Sequence, residues 1–105
     1  MKRAVLISLL ALSVHAQPLD ADKLADAIYR AEGGASTRWP YGIKSITTSN
    51  PRQVCIHACR HAWLDWQAAG CQGNFIDFLA DRYCPPSVDP VGNANWKRNV
   101  KFFLK

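Results

Sequence analysis

All four cysteines of this chain, Cys55, Cys59, Cys71 and Cys84, follow residue 16, and the segment before them decides what they can do. Met1-Lys2-Arg3 is a short positive start and Ala4 to Val14 an almost unbroken apolar run. Val14-His15-Ala16 then places small or aliphatic side chains around a cleavage point after Ala16. The pattern predicts an export signal over 1–16 and one mature domain over 17–105. An apolar run of about eleven residues falls well short of the roughly 20 needed to span a bilayer, so no stable membrane insertion is expected after cleavage. No cysteine follows the run where a lipid anchor would need one.

Export into an oxidising compartment turns an even number of cysteines into expected disulfides, and a domain this short needs such help because its core is limited. The competing use is a metal site built from Cys55, His57, Cys59 and His61. Cys-x3-Cys is an unusual zinc spacing, and His57 falls on the other side of a helix from the cysteines, so no metal and no cofactor are expected. Loss of Lys2 and Arg3 leaves eleven basic residues against eight acidic ones, a mature net charge near +3. That mild excess suits an anionic partner such as the cell wall. The basic residues form no stripe, and nucleic acid is not expected as a partner.

The rest of the chain reads as helices. Gln17 to Glu32 carries Leu24, Ala27, Ile28 and Ala31 on one face, with Asp20 or Asp22 as the cap and Gly33-Gly34 as the stop. Trp39-Pro40-Tyr41-Gly42 reads as a turn, and Ile43 to Thr48 has the β-branched alternation of a short strand. Asn50-Pro51-Arg52-Gln53 opens a second helix, with Asn as cap, Pro in the first position and Gln able to reach back. Its apolar face is Val54, Cys55, Ala58, Cys59, Ala62, Trp63, Trp66 and Ala69, and Gly70 ends it. A third helix is expected from Phe75 to Tyr83 behind Asn74, with Ile76, Leu79, Ala80 and Tyr83 inward. Ser87 to Ala94 reads as a loop, and a last helix starts near Asn95 with Trp96, Val100, Phe103 and Leu104 as its stripe. A hairpin of helices two and three brings Cys84 back toward Cys55 or Cys59. The pairing Cys55–Cys84 with Cys59–Cys71 is expected, although a straight helix would hold Cys71 roughly 16 Å from Cys59.

Among the polar residues Glu32 stands out. It ends an amphipathic helix, where the negative end of the dipole and the unpaired last carbonyls disfavour its charged form. A carboxylic acid that keeps its proton is what a general acid for glycosidic cleavage requires. On position alone an ordinary exposed Glu in a last turn is the better reading, because many helices end this way. His57 and His61, at i, i+4 on a polar face, read as solvated side chains.

Ala27-Ile28-Tyr29-Arg30-Ala31-Glu32-Gly33-Gly34 followed by Tyr41-Gly42-Ile43 resembles the catalytic region of lysozyme-like lytic transglycosylases. There a helix ends in the catalytic Glu, and a Gly-containing segment on a short hairpin lines the sugar cleft. The resemblance implies a mainly α, disulfide-stapled lysozyme-like domain with one short β-hairpin. It implies Glu32 as acid and base, and Gly42-Ile43 as the segment passing close to substrate. Lys44-Ser45 stands where Met-Gln is expected, so Ser45 or Thr47 would supply a hydroxyl there. Trp39 and Tyr41 are candidate sugar contacts, the alternative being closure of a small core. Trp63, Trp66 and Trp96 read as core. The chain also resembles a group of small exported bacterial and phage proteins sharing Glu-Gly-Gly, Tyr-Gly-Ile and Arg-Tyr-Cys-Pro-Pro.

Hydrolases need two carboxyl groups across the scissile bond. No second acid is evident here, whereas a lytic transglycosylase needs one and yields a 1,6-anhydro sugar. The expected function is therefore peptidoglycan cleavage of that type by a periplasmic or secreted monomer, with glycan strands and an envelope protein complex as partners. The alternative is a non-catalytic exported module that binds glycan or an envelope protein.

Overall fold

The computed structural model describes residues 18–44 and 47–105, so the export signal and Ser45 lie outside the described residues. Among the described residues there are four α-helices, α1 (Ala21–Ala31), α2 (Pro51–Ala68), α3 (Phe75–Tyr83) and α4 (Pro90–Phe103), with a 3-10 turn (Gly34–Ser36) after α1. The mainly helical class is as expected. Among the described residues no helix is long and apolar enough to cross a membrane.

Each helix starts where a short polar side chain can satisfy its first backbone donors. Asp20 accepts from Lys23 N at 3.0 Å, Asn50 from Gln53 N at 3.2 Å, and Asn74 from Ile76 N at 2.8 Å. Asp89 does the same for α4, accepting from Gly92 N at 2.9 Å with Pro90 in the first turn. Helix α4 thus begins five residues before the expected Asn95, and the segment read as a loop from Ser87 to Ala94 is in large part its first turn and a half. Gln53 does not complete a capping box: its amide lies 3.0 Å from His57 Nε2.

Helix α1 packs against α2 and α4, and α3 against the same two. Leu24, Ala25 and Ile28 of α1, Cys55, Cys59 and Ala62 of α2, Leu79 and Ala80 of α3, and Trp96 and Val100 of α4 form one buried core. Trp63, Trp66 and Phe75 make a second aromatic group at the far end of α2, with Trp66 Nε1 donating to Gln72 O at 3.0 Å. Ala69 and Phe103 are exposed where inward faces were expected, while Ile56 joins the core.

Among the described residues one polar residue is buried: Asn93, 4% exposed, whose Nδ2 donates to Asp81 Oδ1 at 3.0 Å and Cys84 O at 2.9 Å. These bonds tie the end of α3 to the start of α4. Asn93→Ala removes both bonds, leaving Asp81 its ion pair with Lys97 at 3.3 Å, and thermal or urea unfolding is expected to show a loss of about 1–3 kcal/mol.

Two expectations are corrected. Among the described residues there is no strand, and the expected hairpin over Ile43–Thr48, of which residues 45 and 46 lie outside the described residues, is not supported: β-branched residues alone do not make a ladder. Nor is any of the four cysteines disulfide-bonded. Cys55 and Cys59 are fully buried on successive turns of α2, and it is Tyr83 that α3 brings to Cys55, its hydroxyl donating to Sγ at 3.0 Å. Cys84 turns the other way, its Sγ 3.9 Å from Asp89 O. Because α2 continues to Ala68, Cys71 stays at its far end, away from Cys59. In the native protein, alkylation is therefore expected to reach the partly exposed Cys71 and Cys84 first. Cys55 and Cys59 should react only through opening of the core, on the order of a hundredfold slower or more; equal rates for all four would contradict their burial.

Candidate active site

Helix α1 carries Glu32 to the site. The Glu32 N–H donates to Ile28 O at 2.9 Å as the helix ends, and Gly33 then takes a left-handed φ of 103° that turns the chain away. The chain returns through the turn at Trp39-Pro40-Tyr41-Gly42, which the sequence indicated, closed by Gly42 N donating to Trp39 O at 2.9 Å. Gly42 has φ 71°. A β-carbon there would overlap Glu32 Oε2, stand 3.0 Å from Glu32 Cδ and 3.6 Å from Tyr83 Cε1. The Glu32 carboxyl thus occupies the space a Gly42 side chain would need, beside the ring of Tyr83. That ring stacks on Trp96 with centroids 5.0 Å apart, so α3 and α4 both back the site.

Half-burial sets the electrostatics. Desolvation pushes the Glu32 carboxyl above its ordinary value of 4.5, and two weaker influences oppose it: the Trp96 indole N–H and the positive charge of Lys44. The indole nitrogen is buried and makes no hydrogen bond of full geometry, so its effect on Glu32 is that of a nearby dipole. Burial also drives the Tyr83 phenol up, keeping it protonated and donating to Cys55. Cys59 is pushed up by its hydrogen bond to Cys55 and by burial, so this thiol keeps its proton.

A cleft of about 430 Å³ lies against this group, with Gly42, Ile43, Lys44, His61, Arg82 and Tyr83 among its walls. Glu32 itself is not a lining residue; its carboxyl sits against the Gly42 and Tyr83 side of the wall. No Asp or Glu lines the cleft, and Asp65, the nearest acid in sequence after Glu32, is paired with Arg82 at 2.8 Å. His61 faces the cleft while His57 contacts Gln53, and among the described residues no group of three or more His, Cys, Asp or Glu could hold a metal ion.

The candidate aromatic contacts separate. Tyr41 is 9% exposed, its ring 5.2 Å from that of Tyr29, and its hydroxyl accepts from Arg52 at 3.3 Å; Arg52 also bonds Asp26 at 2.7 Å. Tyr41 therefore closes the core between α1 and α2, while also lining the cleft beside Trp39. Trp39 is 40% exposed, with Arg38 and Lys44 5.2 and 5.4 Å from its ring, at a second cleft of about 280 Å³. Thr47 lines that second cleft.

Tyr83 and Trp96, read from the sequence as core, His61, read as a solvated side chain, and Arg82, to which the sequence reading gave no role, are the further site residues. Helical spacing marks Tyr83 and Trp96 as inward, yet says nothing of a carboxyl across the interior. Comparison with protein-family models, with curated proteins and with solved structures gives no match.

Proposed function

We propose that this chain is an exported, periplasmic or secreted, lysozyme-like domain that cleaves peptidoglycan glycan strands as a lytic transglycosylase. One observation carries the reading: a single half-buried carboxyl with raised proton affinity, seated in the gap left by a glycine on the wall of a cleft that holds no second acid.

Each step asks something of Glu32 that its surroundings favour. The protonated carboxyl donates to the glycosidic oxygen as the C1–O bond breaks, and burial keeps that proton in place. Positive charge from Lys44 and the Trp96 N–H favour the carboxylate that results. The carboxylate then takes the proton of the sugar's own 6-hydroxyl as that oxygen attacks C1, which returns Glu32 to its starting form and closes a 1,6-anhydro ring. Water and a second carboxylate are not needed.

A second reading is favoured by one specific observation. Trp39 is exposed between two cations at its own cleft, whereas Glu32 lines neither cleft. A non-catalytic module that binds glycan or an envelope protein would use that surface alone. Incubating the purified chain with peptidoglycan sacculi and analysing the supernatant by mass spectrometry separates the two. Release of anhydro-muropeptides is expected. No release leaves the binding module, and release of reducing-end sugars alone indicates a hydrolase.

A further inference from the structure

We propose that the cleft beside Trp39 is a recognition site for a carboxylate, in this setting the free carboxylate of a peptide stem carried by the glycan strand. The inference rests on the glycan-cleaving reading and adds to it the part of the substrate that is read by charge.

The cleft's charged lining residues are Arg38 and Lys44, both basic, and Tyr41 beside them has its hydroxyl engaged by Arg52. Among the described residues neither forms an ion pair, whereas Arg52, Arg82, Lys97 and Lys101 each reach an aspartate. Instead both stand over the Trp39 ring, which keeps their charges at the cleft. Thr47 and Thr48 add hydroxyls, and Pro51 places the positive end of the eighteen-residue α2 on the same wall. A neutral sugar would be served by the aromatic face alone. Arg38, the charge of Lys44 (which Glu32 also feels), two hydroxyl groups and a helix N-terminus around a cleft lined by no Asp or Glu select an anion, and a planar carboxylate suits the guanidinium fork of Arg38.

The position of this cleft links it to the first. Ile43 and Lys44 line both, so the two clefts share one run of backbone as a wall. A glycan strand lying along Gly42 presents the substituents of its adjoining ring to Trp39. Peptide stems are such substituents and end in carboxylates.

The test uses the chain carrying Glu32→Gln, so that ligand is not consumed, and measures binding calorimetrically. Four probes are compared: a disaccharide-peptide with free carboxylates, its methyl ester, the sugar-free peptide, and a neutral N-acetylglucosamine oligomer. The free acid is expected to bind about 10- to 100-fold more tightly than the ester, the range of a hydrogen bond to a charged group. Arg38→Gln with Lys44→Gln should abolish that difference. Equal binding of acid and ester, or a preference that survives the double substitution, overturns the inference. Equal binding alongside continued muropeptide release overturns it while leaving the glycan-cleaving reading intact. If the sugar-free peptide binds and loses that binding in Arg38→Gln with Lys44→Gln, while the oligomer fails to bind and sacculi release nothing, the carboxylate site stands and the glycan-cleaving reading falls. Absence of binding by every probe overturns the carboxylate site.

Discussion

Glu32→Gln is expected to cut the release of anhydro-muropeptides by about two to four orders of magnitude, the usual contribution of a positioned acid or base. The amide keeps the shape of the carboxyl and its seat against Gly42 and Tyr83, so the loss should appear without unfolding. Stability is expected to move in the opposite direction. The folded carboxyl holds its proton more tightly than the ordinary value of 4.5, so above that pH the unfolded chain ionises first and the folded state is penalised. The contribution of Glu32 to stability therefore falls as pH rises from about 4.5 through its folded value, and is flat below. Gln cannot ionise. The variant's melting temperature should exceed that of the parent at pH 7, and the gap should close on acidification to pH 4. A variant less stable at pH 7 than at pH 4, relative to the parent, would contradict the burial of this carboxyl.

Gly42→Ala is expected to damage fold and site together. At φ 71° an L residue costs about 1–2 kcal/mol, a sizeable share of the 5–15 kcal/mol that holds a typical domain. The added methyl also meets the carboxyl of Glu32, which must move, and with it the turn or the Tyr83 ring. Urea unfolding should register a loss of at least the backbone cost. Sacculus digestion should fall even under conditions where the variant is fully folded, because the acid has been displaced. The double variant Gly42→Ala with Glu32→Ala separates the two contributions. Removing the carboxyl relieves the overlap and leaves the φ cost, so the double variant should be more stable than additive losses imply. Strict additivity would mean that the two residues do not touch.

Much of this arrangement is legible in the sequence, for identifiable reasons. Asp20, Asn50 and Asn74 announce their helices because a capping side chain acts within three residues of itself. Asp89-Pro90 is the same signal as Asn50-Pro51, but Gly92, Asn93 and Asn95 after it resemble a loop, and the burial of Asn93 against α3 is what makes them helical. The position of Glu32 before Gly33-Gly34 and the turn ending in Gly42 are local patterns, and their contact follows from the chain reversing between them.

What local patterns do not carry is the identity of partners across the interior. The parity of the cysteines suggested disulfides, yet Cys55 meets the Tyr83 hydroxyl because Tyr83 and Cys84 point to different sides at the end of α3. Tyr41 and Trp39 are two residues apart with similar chemistry and line the same cleft, and only packing against Tyr29 and Arg52 buries one while the other stays exposed. Alternation over Ile43–Thr48 suggested a strand, but among the described residues there is none, and a strand needs a neighbour to pair with.

Carbon-13 NMR titration of the Glu32 carboxyl carbon is the most direct measurement of the group on which the proposed chemistry depends. A midpoint above 4.5 that falls back toward it in Gly42→Ala, as displacement returns the carboxyl to water, is the expected result. A midpoint at or below 4.5 in the parent chain would mean an ordinary solvated glutamate, and the proposed acid would be lost.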